Sequence, residues 1–151
     1  MNIKSYHIYL FITILITLFI FSNSAQTADS SSVHSGRLLT FLCWLFNAEA
    51  PEQIGLSQHI IRKFAHMAEF AAQGFFFSLF FLKRNKRLSE FYINVLFFGL
   101  LSACPDEAIQ MFFDGRSGEI RDVFIDFSGT FLGLFASVIT FNISKKIKFL
   151  H

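Results

Sequence analysis

Two apolar stretches of this chain carry their polar residues in the same stripe. Arg62, His66, Glu69 and Gln73 fall at i, i+4, i+7 and i+11 of one segment, and Asp122, Asp126, Gly129 and Gly133 repeat that spacing in another. On an α-helix this spacing puts each set along one face. Elsewhere both segments are rich in Phe, Leu and Ile, and both are long enough to cross a bilayer. An ionisable group at mid-membrane costs about 2.5–3.5 kcal/mol on insertion scales, so such groups face one another or a wet cavity. The two stripes therefore predict a membrane bundle built around a polar site.

Composition and charge placement agree. With 151 residues the chain is one domain by length, and 53% hydrophobic residues with 23 Phe against 2 Pro place it in the membrane class. The basic residues cluster at the N-terminal tip, one loop and the C-terminal tail: Lys4; Lys83, Arg84, Lys86 and Arg87; Lys145, Lys146 and Lys148. Glu90 is the one acid nearby. This is the positive-inside pattern, and it predicts both termini and the 83–87 loop on the cytoplasmic side of the cell membrane, with residues 22–59 and about 114–119 outside. Four spans satisfy it: about 6–21, 60–82, 88–113 with a kink at Pro105, and 120–143. The expected fold class is thus all-α, a single integral membrane domain of about four transmembrane helices with a short outer interfacial helix. Nucleic-acid binding is a poor reading, because insertion topology already accounts for the basic groups.

Between the spans the reading is coarser. Tyr6–Phe21, preceded by Lys4 and followed by Ser22, Ser24 and Ala25, fits either an uncleaved first span or a signal peptide. Ser22–Ser35 is Ser-rich and reads as a loop. Gly36–Phe46, with Ser35 as its cap, reads as a helix too short to cross, with Trp44 suited to the membrane interface. Asp114-Gly-Arg-Ser-Gly118 reads as a tight turn, and Gly129-Thr-Phe-Leu-Gly133 as a GxxxG pattern that permits close helix approach. Cys43 and Cys104 both fall on the outer side, so they fit either a disulfide or a free, buried pair.

On this topology the polar residues collect at one outward-facing end. Arg62, His66 and Glu69 come from the second span, and Asp106, Glu107 and Gln110 from beyond Pro105. Arg116, Ser117, Arg121, Asp122 and Asp126 run from the turn into the fourth span. These eleven residues are the expected binding site, for a membrane lipid or lipid-linked envelope molecule; His66, Glu69 and Glu107 are the candidates for acid–base chemistry. Arg121 and Asp122 could instead form a rim salt bridge, and Asp126 should be buried against Arg62, Arg121 or His66. A purely structural ion-pair network is the competing reading. No metal-ligand spacing such as HExxH occurs, so neither metal nor cofactor is expected. Oligomeric state and ligand stay open.

Together, Arg62-Lys-Phe-Ala-His66-Met-Ala-Glu69, Asp106-Glu-Ala-Ile-Gln110, Gly115-Arg-Ser-Gly118 and Asp122-Val-Phe-Ile-Asp126-Phe-Ser-Gly129 resemble, in order and spacing, the signature of the VanZ-like family of bacterial membrane proteins. Phe70 stands where many members have Tyr, and Asp114 where Pro often precedes Gly-Arg. The resemblance implies a small cell-membrane protein. It also implies a link to teicoplanin, a lipid-bearing glycopeptide antibiotic, since the family takes its name from a determinant of resistance to it. It carries over no catalytic residues.

Overall fold

A computed structural model of the chain describes residues 5–51, 55–84 and 87–149, so Lys4 and Lys86 of the charge pattern lie outside the described residues. The described helices are α1 (Ser5–Ser24), α2 (Ala28–Leu45), α3 (Gln58–Arg84), α4 (Leu88–Gln110) and α5 (Ile120–Phe149). Apolar stretches long enough to cross a membrane occupy Tyr6–Ser24, all of α3, all of α4, and Ile120–Ile143 of α5. Their outward faces, including Phe11, Leu15 and Leu18 on α1 and Phe131, Leu132 and Phe135 on α5, are exposed. In a bilayer that is where apolar surface belongs.

Side-chain pairs fix the helix directions. Asn23 and Thr17 of α1 meet Glu69 and Gln73 of α3, while Tyr6 packs on Phe80, so α1 and α3 are antiparallel. Lys63 meets Asp122, and Gly129 and Gly133 lie against Met67 and Ala71, so α3 and α5 run parallel. The return between them is α4. The most extensive helix contact is between α3 and α5, and the glycines explain why. A Cβ on Gly133 would collide with the Ala71 carbonyl oxygen and the Phe75 amide nitrogen, and one on Gly129 with the Met67 carbonyl oxygen. The GxxxG reading therefore holds, and the stripe on α5 faces α3 backbone to backbone.

The two ends of the bundle differ. Where α3 hands over to α4, Phe80, Phe81, Phe91, Val95 and Leu134 form a buried apolar cluster. A smaller cluster of Ile20, Phe70 and Ala103 lies toward the opposite end, beneath the polar residues. Phe70, buried there among carbon atoms, needs no hydroxyl partner.

Several expectations require correction. The Ser22–Ser35 stretch is not a loop: Ser22–Ser24 close α1, and α2 begins at Ala28 rather than Gly36. Its serines bond back onto their own helix, Ser32 Oγ to the Ala28 carbonyl at 2.7 Å and Ser35 Oγ to the Ser31 carbonyl at 3.0 Å, so polarity does not prevent helix here. Thr27, not Ser35, is the N-cap, and Asp29 complements the dipole in the first turn. The third span stops at Gln110, three residues early. The Phe112 and Phe113 amides tighten onto the Ile109 and Gln110 carbonyls, and the chain turns at Gly115, whose φ is 72°. Pro105 lies inside α4. Cys43 and Cys104 are free; Cys104 is exposed rather than buried.

Candidate functional site

The polar stripes converge where α1 and α4 end and α3 and α5 begin. Deepest is Gln73, 1% exposed. It donates to Thr17 Oγ1 at 2.8 Å and accepts from Ser102 Oγ at 2.9 Å, tying α3 to α1 and α4. Interhelical hydrogen bonds of this kind hold membrane helices together where water cannot drive them.

One turn nearer the end, Glu69 Oε1 accepts from Asn23 Nδ2 at 2.8 Å, while Oε2 is buried without a partner. From α4, Gln110 Nε2 lies within reach of Ser24 Oγ (3.4 Å), Asp106 Oδ2 (3.3 Å) and Glu107 Oε1 (3.2 Å). The other oxygen of Glu107 accepts the backbone N–H of Glu119 at 3.0 Å. Both Glu107 oxygens are thus engaged, and the group clips the 111–119 loop onto α4.

His66, Asp106 and Asp126 meet at the centre, one from each of three helices. Their donor atoms lie within 4.8 Å of one another. His66 Nδ1 is 3.6 Å from Asp106 Oδ2, beyond hydrogen-bond range. Asp126 is buried toward His66, as one of the expected alternatives had it. Asp122 pairs with Lys63 at 2.5 Å rather than with Arg121, which corrects the rim salt bridge. The reason is register: parallel α3 and α5 put residues 63 and 122 side by side.

Arg116 enters from the loop. All three guanidinium nitrogens are buried without a hydrogen-bond partner. Burial, reinforced by the charge of Arg62, lowers its pKa from the ordinary value, while Asp106, Glu107 and Asp122 pull the other way. The group stays a cation.

Beside this cluster a cleft of about 380 Å³ opens between α1, α2 and α3. Phe19, Leu38 and Ile61 line it with carbon, and Asn23, Gln26, His34, Arg62, His66 and Glu69 supply polar groups. Arg62 also approaches His59, with its Nη2 3.4 Å from the ring Nδ1. The space lined jointly by Glu107, Gln110, Asp122 and Asp126 is small, at about 10 Å³.

The structure therefore gathers Arg62, His66, Glu69, Asp106, Glu107, Gln110, Arg116, Asp122 and Asp126 at one end. Ser117 and Arg121 are exposed and stand outside the cluster. Sequence reasoning missed Thr17, Asn23, Ser24 and Ser102, the partners of the stripes, and the α2 wall of the cleft. One signal was available: Thr17 and Ser24 lie two turns apart on the same face of α1, a polar stripe like the others.

Among known proteins, the model of the VanZ/LLP1 family matches residues 7–141. Neither a curated protein nor a solved structure matches the chain.

Proposed function

The chain belongs to the VanZ/LLP1 family of membrane proteins, and from that premise we propose that it binds an amphiphile of the cell envelope. The apolar part of the ligand lies in the cleft between α1, α2 and α3, and its anionic or sugar head group meets the polar end of the bundle. The observation that carries this reading is the cleft itself, whose size suits a small-molecule site. It offers carbon on one side and Asn23, Arg62, His66 and Glu69 on the other, the division an amphiphile has. Arg116, a buried cation behind the cleft wall rather than on it, adds positive charge that acts on His66.

Lys83, Arg84 and Arg87 lie at the opposite end from the cleft, and by the positive-inside rule the sequence's basic pattern favours an outward-facing site with both termini toward the cytoplasm. Lipid-linked wall precursor, phospholipid and lipoglycopeptide all fit the chemistry, and the family's namesake role puts teicoplanin first to test. A second reading, a membrane enzyme using a His–carboxylate pair, is favoured by one feature: His66 faces Asp106 at 3.6 Å with its Nδ1 otherwise unpartnered.

The test is the teicoplanin and vancomycin susceptibility of a Gram-positive host expressing the wild type or Arg62→Ala at matched membrane levels. Protection against teicoplanin, absent for vancomycin and lost in Arg62→Ala, is the expected result. A well-expressed wild type that protects against neither removes lipoglycopeptide from the ligands and leaves the lipids.

A further inference from the structure

His66, Asp106 and Asp126 crowd together without bonding to one another. Asp106 and Asp126 are 0% and 1% exposed. His66 Nδ1, Asp106 Oδ1 and Asp126 Oδ2 are buried with no hydrogen-bond partner. A buried polar atom without a partner is rare and costly, and here three helices each bring a residue carrying one into a single cluster.

Charge points the same way. Four other carboxyl groups, those of Glu69, Asp106, Glu107 and Asp122, act on Asp126, a concentration of acid groups that a divalent cation would compensate.

We propose that His66, Asp106 and Asp126 bind one divalent metal cation of the Zn²⁺ or Mn²⁺ kind. Donors mutually within 4.8 Å have a common centre about 2.8 Å or less from each, and a shift of under about 1 Å brings them to the ~2.0–2.2 Å of such ions. An imidazole with two carboxylates favours these metals over Ca²⁺ and Mg²⁺, which take oxygen ligands. Gln110, bonded to Asp106 Oδ2, orients that carboxylate. Three protein ligands leave a coordination position open, and His66 also lines the cleft, so the ion faces what the cleft holds. The ligand set is invisible to a spacing motif because each helix contributes one residue.

The experiment uses the full chain, purified with a tag free of histidine, stripped with chelator and titrated with Zn²⁺ and with Mn²⁺ without added lipid. Bound metal per chain is read by elemental mass spectrometry. About one ion per chain is expected, with affinity at least about tenfold weaker in Asp126→Asn and unchanged in Asp114→Asn, an exposed loop acid. Stripped wild type that takes up neither ion in stoichiometric amount overturns the proposal, as does Asp126→Asn binding like the wild type. Should Asp126→Asn not fold, Co²⁺ added to the wild type decides. A ligand-field spectrum of mixed nitrogen and oxygen ligation supports the site, and the spectrum of hydrated Co²⁺ overturns it.

Discussion

At the end of the bundle where α3 hands over to α4, Phe77, Phe81 and Phe98 stack with ring centroids 5.4–5.9 Å apart, and Val95 and Phe91 close the space beneath them. At the opposite end the same helices bury Asp106, Glu107, Gln110 and Asp126. The first end is held by contacts that many apolar shapes can make. The second is held by hydrogen bonds that single atoms make, and it leaves several buried atoms with none. A region selected for stability alone does not need such atoms, since well-packed apolar residues of similar volume do as well or better. The dry end is a scaffold, and on the function proposed above the polar end is kept for what it can bind.

The largest expected effect breaks the frame that both ends share. Gly133→Val drives a side chain into the α3 backbone at Ala71 and Phe75, and the cost should be about 3 kcal/mol or more. Gly36→Ala, where an added Cβ meets only Gln58 Nε2 at 3.4 Å, should leave the yield of monodisperse protein unchanged. Equal yields for the two variants would mean that α3 and α5 do not meet at these glycines.

Next comes the loop clip at the polar end. Glu107→Ala removes the acceptor of the Glu119 amide and one acceptor of Gln110, at about 1–3 kcal/mol. The loss should be local. Hydrogen exchange should accelerate across 111–119 and stay slow around Val95; acceleration at both would show that the two ends are not independent.

A smaller effect sharpens the boundary between them. Gln73 bridges Thr17 and Ser102 above the phenylalanine cluster. In a double-mutant cycle of Gln73→Leu with Thr17→Val, a coupling of about 0.6–1.7 kcal/mol is expected. Zero coupling would mean that this bond does not help hold α1, leaving its polar ties to Asn23–Glu69 and Ser24–Gln110.

The smallest concerns the half-buried pair Lys63–Asp122. Lys63→Met should change the melting temperature by what about 0–1 kcal/mol produces. A larger loss would make this pair part of the buried network rather than its edge.

Much of this was legible in the sequence, because a membrane makes polarity informative. The stripes on α3 and α5 named the faces that meet, and GxxxG named the close approach. Legibility failed where side chains satisfy themselves. Ser32 and Ser35 bond to carbonyls of their own helix, so a polar run that read as a loop became the first half of α2. It also failed where a site is shared. Lys63 finds Asp122, and His66 finds Asp106 and Asp126, through the parallel register of α3 and α5 and the return of α4. Residue spacing along one helix carries neither fact. The cleft depended on both, since α2 forms one wall and α1 another.

The most direct test of the account is mass spectrometry of the amphiphiles retained by the purified protein. Wild type would be compared with Leu38→Trp, which fills the cleft from α2, and with Phe98→Leu at the dry end. The account predicts one class of amphiphile enriched on the wild type and on Phe98→Leu, and lost from Leu38→Trp while all three remain folded. The same lipid complement on every variant, matching the bulk membrane, would contradict it.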